Sequence, residues 1–179
     1  MDSSLFDEAI LKEFTPSFKT IEVSPRTILL REGEISKKAF FVESGCLRVW
    51  FNNNGKECTT QFFFEGEMVS SIESFRTGTP GLFNIESIES CVLKVITKAE
   101  LDKVEQNSPI FRKKMEETIL KRLFVYQKLF LSRIKDSPEK RYRDLLETNP
   151  ELILRIPQHY IASYLGITSV SLSRIRNRG

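Results

Sequence analysis

The run "SPIFRKKMEETILKRLFVYQKLFLSRIK", residues 108–135, constrains this chain more than any other stretch. Ser108 is placed to cap a helix, and Pro109 suits its first position, where the missing N–H would have no partner anyway. Phe111, Met115, Thr118 or Ile119, Arg122 or Leu123, Tyr126, Phe130 and Ile134 then recur at helical spacing. A helix of about 25 residues reaches ~38 Å at 1.5 Å per residue. Two readings follow. The apolar stripe packs on the rest of the chain as a core helix, or it pairs with a second copy of itself along a dimer seam. The seam is favoured, because so long a helix outreaches a small barrel.

Before this run the texture differs. "TIEV", "TILL", "AFFVESGCLRVWF", "ECTTQFFF" and "CVLKVIT" are short runs rich in Val, Ile, Thr and Phe, separated by Gly33, Gly45, Gly55 and Gly66. Asn54-Gly55 supplies two positive-φ positions, a strong hairpin signal. Many short strands at turn-punctuated spacing predict an antiparallel barrel or sandwich. A short amphipathic helix is expected over residues 2–14, capped by Ser4 and ended before Pro16. The fold class is therefore α+β: an antiparallel β-roll over residues 1–107, a dimerisation helix over 108–136, and a helical domain over 137–179. In that last part Ser137 and Pro138 open a short helix, and Leu152 to Ile156 reads as a brief extended piece.

The closing segment, "PQHYIASYLGITSVSLSRIRNRG", reads as two helices across a tight turn. Ile161, Ala162 and Leu165 share one face. Gly166 suits a left-handed residue ending the first helix. Thr168 is placed to cap the second. Leu172 and Ile175 face inward, which leaves Ser169, Val170, Ser173, Arg174 and Arg176 outward. This is the helix-turn-helix pattern. Small residues let a helix enter a major groove, Arg makes paired bonds to guanine O6 and N7, and the helix start offers N–H groups to a phosphate. Charge agrees with double-stranded DNA as a partner. Residues 1–108 hold 12 Lys and Arg against 17 Asp and Glu, a net −5; residues 109–179 hold 15 against 7, a net +8. A basic segment gains by displacing the counterions condensed on phosphates.

The order roll, long helix, short helix, helix-turn-helix resembles the cyclic AMP receptor protein/Fnr (Crp/Fnr) family of bacterial transcription regulators. "GEISKKAFFVESGCLRVWF" and "FFFEGEMVSS" are similar to that family's effector roll, and "IASYLGITSVSLSRIR" to its reading element. The resemblance runs from about residue 20 to residue 178 and implies a cytoplasmic homodimer that binds DNA. It places the base-reading Arg on Arg174 and two earlier reading positions on Ser169 and Val170. Val170 offers no hydrogen bond, only contact with a thymine methyl, so the target sequence should differ from that of the best-known members. RNA polymerase is a further partner the resemblance brings into view.

In the family's nucleotide-binding members a Gly-Glu pair meets the ribose and an Arg-Ser pair holds the phosphate. Gly66-Glu67 matches the first pair. The second falls near Gly81-Leu82, whose side chains hold no phosphate, with Arg76 five residues earlier as the one nearby cation. The expectation is a small-molecule effector other than cyclic AMP bound in the usual manner, or none; the cofactor is unknown. Cys46, Cys58 and Cys91 are scattered, too few for a four-Cys cluster, and His159 is the only histidine. No phosphate loop, G-x-S-x-G or nucleophile with a His base is present, so no enzyme is expected. No run of eighteen apolar residues occurs, and the first residues do not read as a secretory signal. The alternative from another class is a sensor or protein-interaction module on the same roll, without DNA binding.

Overall fold

The computed structural model describes residues 17–177; the helix expected over 2–14 lies outside the described residues. The chain divides into two compact units. One takes residues up to Phe51 together with Gln61–Ile119; the other takes Asn52–Thr60 and the residues from Leu120 on.

The first unit is built on antiparallel strands. They are β1 (Lys19–Val23), β2 (Ile28–Leu30), β3 (Lys38–Ser44), β4 (Leu47–Asn53), β5 (Lys56–Phe63), β6 (Met68–Val69), β7 (Asn84–Ser87) and β8 (Cys91–Thr97). They form two four-stranded sheets, ordered β1-β8-β3-β6 and β2-β7-β4-β5. The β4–β5 turn is the one the sequence predicts: Asn54 has φ 52° and Gly55 φ 86°, the two left-handed positions of a tight hairpin. Alternation then sorts side chains. Phe40, Val42 and Leu93 from one sheet join Leu47, Val49 and Ile85 from the other in one buried cluster. Each such burial is worth about 1.5–3 kcal/mol.

Neighbours in β4 and β7 point the other way, and here the structure buries charge. Arg48 lies opposite Glu86 across the ladder. Its Nη2 and Nε donate to the same carboxylate oxygen, at 2.6 and 2.9 Å. Both residues are buried, at 1% and 6% exposure. The guanidinium sits 4.9 Å from the centre of the Trp50 ring.

Helices α1 (Ile72–Thr77) and α2 (Lys98–Asn107) complete this part, and α3 (Pro109–Lys135) begins in it and runs on into the second unit from Leu120. Sequence reading leaves α2 unassigned, yet its start signal is present. Thr97 accepts from the Glu100 amide while Glu100 accepts from the Thr97 amide, a capping box. Ser108 caps α3 by accepting from the Phe111 amide at 3.2 Å. Phe111 and Met115 pack with Phe41, Ile96, Leu101 and Val104 in a second buried cluster. The core reading of the long stripe holds for its first turns only. Further on, Leu123, Phe130 and Ile134 are exposed at 56%, 65% and 69%.

The second unit continues with α4 (Pro138–Thr148), α5 (Pro150–Arg155), α6 (Gln158–Leu165) and α7 (Ser169–Arg176). Ser137 caps α4 by accepting from the Lys140 amide at 3.2 Å. The piece expected to be extended, Leu152 to Ile156, is helical as far as Arg155. Pro150 takes the first helical position after Asn149, and only Ile156 returns to extended backbone. Tyr142, Leu145, Leu152, Ile156 and Ile161 are buried and form the centre of this unit.

Candidate nucleic-acid interface

The terminal helix pair is held by its own local chemistry. Gly166 ends α6 with φ 70°, and a side chain there would meet nothing within 4 Å, so backbone conformation alone selects glycine. Its amide bonds Ser163 O at 3.0 Å, and the Ile167 amide bonds Ala162 O at 2.9 Å, closing the last carbonyls of α6. Thr168 then caps α7, its Oγ1 accepting from the Ser171 amide at 3.1 Å. The turn is thereby tied at both ends.

Burial fixes which face of α7 is free. Leu172 is fully buried at 1% and Ile175 partly so, while Ser169, Val170, Ser173, Arg174 and Arg176 are all exposed. Thr168 lies exposed at the helix start. Neither Arg174 nor Arg176 forms an ion pair among the described residues, and the first turn of α7 contains no acid. The free face thus carries two uncompensated cations, two small hydroxyl residues and one branched apolar residue. That combination can approach a polyanion closely, bond acceptor atoms through Arg and touch a methyl through Val170. His159 is exposed near the start of α6, its ring 3.9 Å from that of Tyr160.

Two residues that support this pair carry no motif. Arg133 Nη2 donates to Tyr164 O at 2.6 Å. Arg141 donates from Nε to Leu165 O at 3.1 Å and from Nη1 to Asp136 O at 2.7 Å. Guanidinium donors thereby meet the carbonyl end of α6, where the helix dipole is negative.

The residues expected to meet an effector lie in the first unit and serve several local ends. Glu67 closes a turn, its carboxylate accepting from the Phe64 amide at 2.9 Å, while the Gly66 amide bonds Val42 O at 3.0 Å. Arg76, in the last turn of α1, is bound in two-pronged fashion to Glu105 of α2, at 2.6 and 2.9 Å. That hydrogen-bonded pairing raises its pKa further above the ordinary arginine value. Gly81 is buried in a backbone pair, its amide on Glu34 O and its carbonyl taking Gly33 N–H, both at 2.8 Å. A Cβ there would sit 3.2 Å from Ser71 Oγ. Leu82 is 69% exposed. Two buried polar atoms of one sheet, Trp50 Nε1 and Gln61 Oε1, have no hydrogen-bond partner among the described residues, and no sequence signal marks them. Among the described residues no cluster of His, Cys, Asp and Glu is arranged to hold a metal ion, and no helix is long and apolar enough to cross a membrane.

Residues 20–108 match the model of the cyclic nucleotide-binding domain family. No curated protein matches the chain in sequence. Among solved structures, a CooA variant from Carboxydothermus hydrogenoformans is 18% identical, with a TM-score of 0.81 over 99% of this chain and 84% of that one. The c-di-GMP-responsive global regulator CLP of Xanthomonas campestris is 17% identical, with a TM-score of 0.79 over 96% of this chain and 91% of that one. FixK2 of Bradyrhizobium japonicum is 17% identical, with a TM-score of 0.78 over 90% and 83%. At such identities the likeness is one of fold. The shared fold is a cyclic nucleotide-binding-type roll followed by helices that end in a helix-turn-helix.

Proposed function

We propose that this chain is a homodimeric DNA-binding transcription regulator of the Crp/Fnr type. Residues 1–107 receive a signal, residues 108–136 pair two subunits, and residues 137–179 read DNA in the cytoplasm. The exposed face of α7 carries the reading: unpaired Arg174 and Arg176 beside Ser169, Val170 and Ser173, on a helix whose other side is anchored by Leu172. Arg174 contacts base edges, Val170 a thymine methyl, and Thr168 and the first amides of α7 a phosphate. In a two-fold dimer the two α7 helices would address half-sites about one DNA turn, ~34 Å, apart. Selection from a random duplex pool is therefore expected to enrich an inverted repeat with that spacing. A pool that stays random after repeated rounds contradicts the reading and leaves the protein-interaction alternative.

The roll does not take cyclic AMP in the usual manner on this reading. Gly81 and Leu82 offer no charge to a phosphate, and the nearby cation, Arg76, is already committed to Glu105. Recruiting Arg76 would first break a two-pronged ion pair. Millimolar cyclic AMP should therefore raise the melting temperature by less than ~1 °C, since a ligand selective for the native state stabilises it in proportion to ln(1 + [L]/Kd). A rise of several degrees would show that the roll binds the nucleotide through other groups.

A further inference from the structure

We infer that Ser163 is a positioning residue that ties the tip of the β4–β5 hairpin to the first helix of the reader and fixes the aim of α7. This rests on the reading of α6 and α7 as a DNA reader. Among the described residues, strand β5 is the outer strand of its sheet, at an edge with no further strand. Ser163 supplies a substitute. Its hydroxyl donates to Glu57 O at 2.9 Å and accepts from the Thr59 amide at 2.8 Å. One hydroxyl thus fills a donor site and an acceptor site on the same strand edge, as a neighbouring strand would. Hairpin residues Asn52–Thr60 belong to the same compact unit as the reader, while β5 itself runs on without interruption to Phe63.

The position of the tie within α6 gives it leverage. Three consecutive residues of the last turn are each held from a different element. Ser163 is held by β5, Tyr164 O by Arg133 of α3, and Leu165 O by Arg141 of α4. Gly166 follows directly, and the turn to α7 is closed by its own hydrogen bonds. Whatever orients this turn therefore orients α7. Two of the ties come from helices adjoining in the chain. The third comes from a hairpin whose sequence lies about a hundred residues earlier and which belongs to the same compact unit.

The test uses the full-length protein and two substitutions, Ser163→Ala and Ser163→Thr. Amide hydrogen exchange at Thr59 should speed up about tenfold in S163A and stay near the wild-type rate in S163T, which keeps the hydroxyl. Affinity for a duplex selected by the wild-type protein should fall about five- to tenfold in S163A, while affinity for a scrambled duplex changes less than about twofold. S163T should restore the first value. Wild-type exchange and wild-type affinity in S163A overturn the proposal. So does S163T behaving like S163A, because side-chain shape rather than the hydroxyl would then be responsible. If the wild-type protein selects no duplex at all, the DNA reading fails separately, and exchange at Thr59 still decides whether the tie exists.

Discussion

Replacing Leu123 or Phe130 by Glu is expected to convert the protein to a monomer and to weaken binding to its selected duplex by a hundredfold or more. Both side chains lie on the exposed half of α3, at 56% and 65% exposure, in company with Leu120, Phe124 and Ile134. Soluble proteins rarely leave so continuous an apolar strip in water. A second copy of the same strip is the occupant that matches it residue for residue, because a two-fold axis along the helix presents each knob to an equivalent hole. A buried carboxylate on each side of that seam would meet its twin in a dry interface. Losing the partner removes the tethered second half-site, and such linkage commonly contributes about 10²–10⁴ in affinity. Because both positions are exposed in the single chain, helix content should be unchanged by circular dichroism. Leu82→Glu is the control, since Leu82 is as exposed, at 69%, but lies outside α3. Sedimentation should show a dimer for wild type and L82E, and a monomer for L123E and F130E. A dimer that persists in both α3 variants would remove the seam.

The second large effect concerns stability. Glu86→Leu and Arg48→Met should each destabilise the protein by about 3–5 kcal/mol, because each leaves the other charge buried without its partner. The pair is nearly sealed, with side chains 2% and 8% exposed, and Arg48 Nη2 and Nε both donate to one carboxylate oxygen of Glu86, at 2.6 and 2.9 Å. Arg48 also covers the Trp50 ring, so R48M loses a cation–π contact that E86L retains. The double variant R48M/E86L should recover most of the loss, since two apolar side chains of similar volume need no partner. Urea unfolding reads this as a shifted midpoint at constant slope. Single variants that lose less than ~1 kcal/mol would show that water reaches the pair.

Comparing expectation with structure shows which signals were local. Asn54-Gly55, Ser108-Pro109, Ser137-Pro138, Gly166 and Thr168 each act within four residues of themselves, and each sits where its chemistry places it. Asn84–Ser87 is short and half polar and carries no strand signal; it is strand β7 because β2 and β4 pair with it on both sides. Leu152–Ile156, expected to be extended, is helical as far as Arg155 because Pro150 opens a helix two residues before it. The free face of α7 was legible because periodicity and caps define it. Ser163, Arg133 and Arg141 were not, because their partners are backbone atoms of distant elements, and a carbonyl leaves no mark in a sequence. Glu67 and Arg76 also have local partners, the Phe64 amide and Glu105, that sequence spacing does not announce.

Fluorescence anisotropy with the selected duplex and a scrambled one, for wild type and Arg174→Ala across a salt series, tests the central claim most directly. The expected outcome has two parts. Wild-type affinity falls steeply with salt, with a log–log slope of about −0.9 for each phosphate neutralised. Arg174→Ala, lacking a base contact in each half-site, loses about tenfold or more of its preference for the selected duplex while its scrambled-duplex affinity falls much less. Binding indifferent to salt, or an R174A protein that prefers the selected duplex as strongly as wild type does, would contradict a reader built on the exposed face of α7.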